Sequence, residues 1–325
     1  MKKVLLIRLG AYGDCLVITP VIREFKKQGY YVGVLASERG NHVFENNPNI
    51  DELLFQPTDE VEINKLQPYW DKVAEDFKAD KVINFSESLE VALAVHPRSP
   101  RYNWTKEERR RVCNISYYKF SMMWAKLESD NYKPELFFTS DERKEALSHI
   151  KKDKFNILMC MSGSGKHKAY PHMEILTGTI LNEIKDAHII TVGDLACKII
   201  ESCESGKITN LAGEVGIRTS LALTEMVDLV ISPDTGVLHA AGCYATPKIG
   251  LLGHTTKENI TKYFENDYSV ESNPFLAECS PCFRMIYKMK QQCPVDPHTG
   301  GSYCMSKGLL PEVVFEQVRQ VYRRR

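Results

Sequence analysis

Asp14 stands where a carboxylate could act as a general base. It closes the segment RLGAYGD, residues 8–14, which follows the apolar run VLLI, residues 4–7. Two glycines between a strand and a helix let a ligand approach the backbone closely, and the amides at a helix start stabilise a carboxylate anion. The alternative is an ordinary acidic residue in the first turn of a helix. The turn lacks the third glycine of a dinucleotide-binding fingerprint.

A second loop has the composition of a phosphate site. The segment SGSGKHK, residues 162–168, follows an apolar run at residues 155–159. It is not a Walker A loop, because Lys166 is followed by His167 rather than by serine or threonine. Small residues, hydroxyl groups and two lysines after a strand nevertheless suit a phosphate group. A solvated basic loop is the alternative.

A third segment, ISPDTGVLHAA at residues 231–241, combines a strand end, a turn and the start of a helix of small residues. The unpaired amides at such a helix start, around Thr235 and Gly236, favour an anion. His239 falls in the first helical turn, so its ring can face the same ligand. The alternative for His239 is a buried structural histidine.

Four of the ten cysteines are clustered toward the end of the chain, in the pattern C-x2-C-x10-C-x10-C. They are Cys279, Cys282, Cys293 and Cys304. Four thiolates can hold zinc tetrahedrally, but the second pair lacks the close spacing of a zinc ribbon. We therefore expect free thiols and no metal, and a zinc site or a disulfide is the less favoured alternative.

A basic segment with interleaved aromatic residues offers a site for an anionic ligand. Guanidinium groups hold phosphate or carboxylate groups through paired hydrogen bonds, and the rings of Tyr102 and Trp104 can stack on sugar faces. The candidate residues are Arg98, Arg101, Arg109 and Arg110, with Lys106 and Arg111 in the same stretch. The alternative is a solvated helix face.

Buried parallel strands must position these loops. Short apolar runs separated by helical lengths predict strands joined by helices, at residues 4–7, 31–35, 51–55, 82–85, 155–159, 188–192, 228–231 and 248–252. The pattern restarts after Ser140, a predicted helix N-cap, and a last helix is predicted from Pro311 to about Tyr322. We predict an α/β protein with two facing Rossmann-like domains, residues 1–139 and 140–325, and a central cleft. Ligands of such sheets bind beyond the carboxyl ends of the strands.

The composition disfavours two broad classes of protein. Forty-two Lys and Arg residues balance 42 Asp and Glu residues, which argues against binding nucleic acid through a basic face. No apolar run reaches the ~18 residues of a membrane span, and Arg8 and Asp14 come too early for a signal peptide. We expect a cytoplasmic protein, and a peripheral contact with the inner face of the cytoplasmic membrane stays open.

Together the three loops resemble glycosyltransferase family 9, the heptosyltransferases of lipopolysaccharide core synthesis. The matching elements are GD at residues 13–14, SGKHKAYP at 164–171, NLAG at 210–213 and DTGVLH at 234–239. The resemblance covers nearly the whole chain and is strongest from about residue 205 to 256. The chain departs from the family at Tyr170, where tryptophan is common, and at His254, where proline is frequent. These departures leave the exact sugar open.

The resemblance implies a GT-B fold and inverting, metal-independent transfer of a heptose or related sugar from a nucleotide-diphosphate sugar, with ADP-heptose as the first candidate. Asp14 matches the catalytic base. The residues that match donor contacts are Ser164, Lys168, Asp234, Thr235, Gly236 and His239. The first domain, with its arginines, would bind an anionic glycan or glycolipid acceptor of the lipopolysaccharide type. No cofactor is implied.

Two other functions stay open. A sugar-nucleotide epimerase of similar architecture would turn over its nucleotide sugar without an acceptor. A non-catalytic sugar-nucleotide binding protein would keep the fold alone, and the presence of Asp14, Lys168 and His239 argues against it.

Overall fold

The chain folds into two compact units. The computed structural model describes residues 1–57, 61–86, 88–194, 197 and 206–325. Unit 1 comprises Met1–Leu89 and Tyr117–Phe138, and unit 2 comprises Glu90–Ser116 and Thr139–Arg325. Each unit is built on one parallel sheet. The predicted α/β class with two Rossmann-like halves is confirmed.

Unit 1 has a four-stranded sheet in the order β3-β2-β1-β4. The strands are β1 Lys3–Arg8, β2 Tyr31–Ala36, β3 Glu52–Phe55 and β4 Lys81–Asn84. The helices are α1 Tyr12–Val17, α2 Thr19–Lys27, α3 Glu38–Phe44, α4 Leu66–Phe77 and α7 Tyr117–Trp124, with a 3-10 helix at Ile63–Lys65. A β-carbon on Gly33 would lie 2.4 Å from the Phe77 ring, so glycine lets α4 pack closely on β2.

Unit 2 has a six-stranded sheet in the order β10-β9-β8-β5-β6-β7. The strands are β5 Phe155–Met159, β6 Ala187–Thr191, β7 Ile208–Asn210, β8 Leu229–Pro233, β9 Lys248–Leu252 and β10 Val270–Glu271. The helices are α5 Ser88–Ala92, which crosses from unit 1, α6 Lys106–Cys113, α8 Ser140–Ser148, α9 Met173–Glu183, α10 Ile217–Met226, α11 Gly236–Ala241, α12 Lys257–Ile260, α13 Met289–Gln292 and α14 Pro311–Tyr322. Two 3-10 helices lie at Pro100–Asn103 and Lys166–Lys168.

Helix boundaries follow the local sequence closely. The predicted cap at Ser140 was wrong by one residue, because Thr139 caps α8: the Thr139 hydroxyl accepts from the Glu142 amide, and the Glu142 carboxylate accepts from the Thr139 amide. Helix α14 spans the predicted residues and begins with Pro311. Among the described residues, no helix has both the length and the apolar character that a bilayer span requires.

Residues 90–116 form part of unit 2, although the predicted division placed them in a first domain of residues 1–139. The reason is a set of main-chain contacts with distant residues of unit 2. The Val95 amide donates to the Phe283 oxygen at 2.7 Å, and the Met285 amide donates to the Val95 oxygen at 3.0 Å. Asn259 Nδ2 donates to the Cys113 oxygen at 2.8 Å. The arginine-rich segment is therefore anchored on the second sheet's unit.

Candidate active site

Four loops of unit 2 meet at the carboxyl edge of its sheet. They follow β5, β6, β8 and β9, which are neighbours in the order β9-β8-β5-β6. Parallel strands end on the same edge, so distant parts of the chain come together there. The residues concerned are 160–168, 193–194, 234–239 and 253–256, which we call the loop cluster. This is the edge at which parallel α/β sheets bind ligands.

Asp234, directly after β8, is the charged centre of the loop cluster. Its buried carboxylate has Oδ2 3.1 Å from Lys168 Nζ, which also donates to the Asp234 main-chain oxygen at 2.8 Å. His239 Nε2 lies 3.2 Å from Oδ1, and His254 Nε2 lies 3.7 Å from Oδ2. Burial alone would raise the pKa of this carboxyl, but Lys168 and His239 hold that pKa well below its usual range. Asp234 is therefore ionised and orders three side chains around it.

The turn after Asp234 leads into a helix where the sequence predicts one. Thr235 has an extended backbone and precedes α11, and its hydroxyl group pairs with Ser232 Oγ at 2.8 Å instead of capping the helix. His239 is buried within α11. Its ring contacts Asp234 beside Lys168, so both the structural and the donor-binding interpretation of His239 stay predictions.

His167 and His254 are two residues that the sequence did not identify as site residues. The His167 ring is 6% exposed and stands edge-on to the His254 ring, with 4.9 Å between the ring centroids. Burial, and then the neighbouring Lys168 charge, lower the pKa of His167 to about 4. The same two causes, followed by His167, hold the pKa of His254 well below its ordinary value. In the sequence these residues stood out only because His167 breaks the Walker A pattern and His254 replaces a proline that is frequent in the family.

The loop after β5 also contacts the loop after β6. Ser162 Oγ donates to Asp194 Oδ1 at 2.7 Å and lies 3.4 Å from Cys197 Sγ. The hydrogen bond from the Cys160 thiol lowers the pKa of Cys197 below its ordinary value. Ser164, the predicted contact, is exposed. Asp194 was missed because a single acid after a strand carries no spacing pattern.

Asp14 caps helix α1 in unit 1. Its Oδ2 accepts from the Ala11 amide at 3.0 Å, and its Oδ1 lies 3.1 Å from Nη2 of the fully buried Arg8. Arg8 also donates to the main-chain oxygens of Asp14 and Phe85. Gly10, at φ +139°, lets the turn pass close to the carboxylate. The Asp14 side chain remains 33% exposed, so the carboxylate is both a cap and reachable from solvent.

The predicted arginines divide into anchoring and exposed residues. Buried Arg109 donates to the Cys282 oxygen at 2.7 Å, the Tyr102 oxygen at 3.3 Å and the Trp104 oxygen. Arg101 donates to the Ala92 oxygen at 2.6 Å. The exposed members of the group are Arg98, Arg110 and Arg111. Arg109 and Arg101 thus tie segment 90–116 together.

The four clustered cysteines do not form a disulfide in the structure. Cys279, Cys282 and Cys293 are partly buried and Cys304 is buried. Burial raises the pKa of all four thiols. In the part of the chain that the structure describes, no group of three or more His, Cys, Asp or Glu side chains is arranged to hold a metal ion.

Comparison with known proteins decides the family. The family model for glycosyltransferase family 9 (heptosyltransferase) matches residues 72–292, about two thirds of the chain. The chain belongs to glycosyltransferase family 9. The family 9 match includes the loop cluster and segment 90–116, whereas Asp14 precedes it.

Individual relatives agree with this family. Lipopolysaccharide heptosyltransferase 1 of Campylobacter coli is 22% identical, over 87% of this chain and 95% of its own length. The solved family 9 glycosyl transferase of Veillonella parvula superposes with a TM-score of 0.71 at 14% identity, covering 100% of this chain and 98% of its own. E. coli ADP-heptose lps heptosyltransferase II gives a TM-score of 0.66 at 14% identity, with coverages of 100% and 99%. The predicted GT-B fold and the resemblance are confirmed, and the protein is a heptosyltransferase-type glycosyltransferase.

Proposed function

We propose that this family 9 member moves a heptose from ADP-heptose to a lipopolysaccharide-type glycan, with inversion and without a metal ion. The observation that carries the proposal is the pairing of Lys168 with Asp234. Lys168 Nζ can donate three hydrogen bonds, and the main-chain oxygen and carboxylate of Asp234 accept two of them. The remaining donor and the positive charge suit a diphosphate oxygen. The E. coli relative named for ADP-heptose supports this donor.

The chemistry is a single displacement at the anomeric carbon. The acceptor oxygen attacks that carbon as the bond from the carbon to the diphosphate oxygen breaks, and the electron pair leaves on ADP. Asp14 takes the proton from the acceptor hydroxyl group. Lys168 stabilises the charge that grows on the leaving diphosphate. Asp234 positions Lys168 and His239 for this task, while Ser164 and the turn at Thr235 and Gly236 contact the donor.

The fixed orientation of Asp14 supports its role as the base. Arg8 and the Ala11 amide each hold one carboxylate oxygen, so the group is oriented before a ligand arrives. A preoriented base loses little freedom in the transition state. The partial exposure of Asp14 leaves room for an acceptor hydroxyl group to reach it.

The acceptor proposal rests on the exposed arginines of segment 90–116. Arg98, Arg110 and Arg111 are exposed, and guanidinium groups suit the phosphate and carboxylate groups of an anionic glycan or glycolipid. Arg109 and Arg101 would support this surface from beneath. A glycolipid acceptor would bring a cytoplasmic enzyme to the inner face of the cytoplasmic membrane as a peripheral partner.

The test is transfer by the purified protein from ADP-heptose to a heptose-deficient lipopolysaccharide core, with the product followed by mass spectrometry. We expect one added heptose, an inverted anomeric configuration and the same rate after EDTA treatment. A strict requirement for added magnesium or manganese would contradict the metal-free mechanism.

The alternatives predict different products in the same assay. An epimerase would convert the nucleotide sugar without an acceptor, and a binding protein would bind it without turnover. Either result would replace the transferase proposal.

A further inference from the structure

Both ring nitrogens of His167 are buried, and neither has a hydrogen-bond partner among the residues that the structure describes. Buried polar atoms are nearly always paired in folded proteins, because an unpaired one costs about 1–3 kcal/mol. The ring belongs to the loop cluster and directly precedes Lys168. An unpaired polar group at a ligand-binding edge is most simply explained by a partner that arrives with the ligand.

Burial of a histidine in unit 2 does not by itself leave the ring nitrogens without hydrogen-bond partners. His188 of β6 is also buried, and burial also lowers its pKa to about 4. Yet its Nδ1 lies 2.9 Å from Asn156 Oδ1, and its Nε2 lies 2.9 Å from Thr209 Oγ1. The two histidines differ in their partners, which makes His188 a matched control.

The charged and titratable groups that act on the His167 ring are few. Lys168 disfavours a second positive charge, and Asp234 favours one. His254 stands edge-on to the ring, and its Nε2 lies 3.7 Å from Oδ2 of Asp234. His239 contacts the other carboxylate oxygen. Before a ligand binds, burial and then the Lys168 charge keep the His167 ring uncharged.

We propose that His167, with His254 beside it, is a further donor-binding residue that takes up a proton when a nucleoside diphosphate group enters the loop cluster. This inference rests on the proposed function and adds a residue and a proton to it. The diphosphate brings negative charge next to Lys168, and this charge offsets the effects of burial and of Lys168 that keep the ring neutral. The protonated ring then donates to a phosphate oxygen, and the proton comes from solvent.

The sign of the pH dependence follows from linkage. The proton is absent from the free site at neutral pH, and binding of the diphosphate raises the proton affinity of the ring. Donor affinity must therefore rise as pH falls from 8 toward 6, and it levels off once the free ring is also protonated. Each unit by which the ligand raises the pKa of His167 means that protonation of the ring strengthens ligand binding about tenfold.

The first experiment measures proton uptake. ADP-glucose is the probe, because its doubly esterified diphosphate does not titrate in this range. Calorimetric titrations at pH 6 in buffers of different ionisation enthalpy should show uptake of roughly 0.5–1 proton by the wild-type protein, falling toward zero at pH 8. His167→Gln should lose the uptake and bind about two- to tenfold more weakly at pH 6, but about equally at pH 8. His188→Gln should behave as wild type.

The second experiment uses the unaltered protein, so it does not depend on a variant that folds. The ring signals of His167 are followed by NMR as a function of pH, with and without inorganic pyrophosphate, and pyrophosphate should move the midpoint from about 4 upward by at least about two pH units. An unmoved midpoint, or proton uptake retained by His167→Gln, overturns the inference. If pyrophosphate moves the midpoint but no ADP-sugar binds, the diphosphate site stands and the ADP-heptose donor is wrong.

Discussion

Asp234 is buried and ionised, and the side chains of Lys168, His239 and His254 are arranged around it. The sequence marked it as a donor-loop residue through the DTG element. Its contacts indicate a different contribution, because both carboxylate oxygens are already engaged by protein groups. We propose that Asp234 acts on a donor through Lys168, which donates to its carboxylate and to its main-chain oxygen.

The Asp234→Asn substitution is expected to weaken donor binding about 10- to 100-fold, similarly to Lys168→Ala, because the neutral amide no longer holds the ammonium group. The dissociation constant of ADP-glucose, measured by calorimetry at pH 8, checks this. The matched control is Asp186→Asn, which removes a carboxylate that accepts from Tyr322 Oη at 2.7 Å before β6 begins. Equal affinities of wild type and Asp234→Asn would contradict the positioning role.

The low pKa of Asp234 also sets the pH range of its contribution to stability. Because the pKa of Asp234 is lower in the folded protein than its ordinary value of 3.8, the carboxylate stabilises the fold at every pH above 3.8. This stabilisation is lost only as the pH falls below 3.8 toward the lower pKa of the folded state. The difference in Tm between wild type and Asp234→Asn should therefore stay constant from pH 8 to 5 and shrink only below about pH 4. A difference that already shrinks between pH 7 and 5 would show that another group dominates.

For Asp14, one substitution separates the cap from the base. In Asp14→Asn the side-chain amide keeps an oxygen that can accept from the amide of Ala11, the N-cap residue, but it cannot take a proton. We expect this substitution to lower the transfer rate ~100-fold or more, with an unchanged dissociation constant for the donor. The Tm of the variant reports the lost ion pair with Arg8. Turnover at the wild-type rate would leave Asp14 as a helix cap only.

Segment 90–116 carries two kinds of arginine on one short element. Arg109→Ala should remove the donor to the main-chain oxygens of Cys282 and Trp104, while Arg284 still donates to the Tyr102 oxygen. We expect the stability to fall by about 2–4 kcal/mol, seen in chemical unfolding. Replacing Arg110 and Arg111 by alanine should leave Tm unchanged but raise the acceptor KM at low salt. The KM effect should fade as salt screens exposed charges over ~8–10 Å. A KM that the double variant leaves unchanged at both salt concentrations would indicate a merely solvated face.

Helix α14 was predicted from its apolar spacing and offers an internal control. Val318 is fully buried and Val313 is 47% exposed on the same helix. Val318→Ala should destabilise the protein by about 1–3 kcal/mol, whereas Val313→Ala should change stability by less than about 0.5 kcal/mol. Equal effects in urea unfolding would mean that the helix does not pack on unit 2 through this face.

How much of the fold could be predicted varies from element to element. The long apolar strands β1, β2, β5 and β9 are recognisable in the sequence, because both of their faces are buried. Strands β7 and β10 have three and two residues at the sheet edges, too few for any periodicity to show. The site divides in the same way. Loops after buried strands could be found from the sequence. That the His167 ring has no hydrogen-bond partner in the described part of the chain is visible only in the structure.

The division of the whole molecule was the least predictable feature. Residues 90–116 were assigned by their position in the chain, and nothing in their composition reveals that they pack with unit 2. Contacts such as Val95 with Phe283 and Arg109 with Cys282 join residues that are far apart in sequence. Local sequence patterns cannot predict contacts between residues so far apart in the chain.

Both units are built from two stretches of chain, and this has a consequence during synthesis. Unit 1 has all its residues once Phe138 has left the ribosome, with segment 90–116 looped out. Segment 90–116 cannot pack into unit 2 at that point, because Cys282, to which Arg109 donates, is synthesised 173 residues after Arg109. At ~5–20 residues per second, the wait is about 10–35 s. During this interval side chains that are buried in the folded protein, such as Val95 and Cys113, are exposed to solvent on the nascent chain. We therefore expect the protein to be most vulnerable to aggregation and proteolysis after unit 1 is complete and before unit 2 is complete.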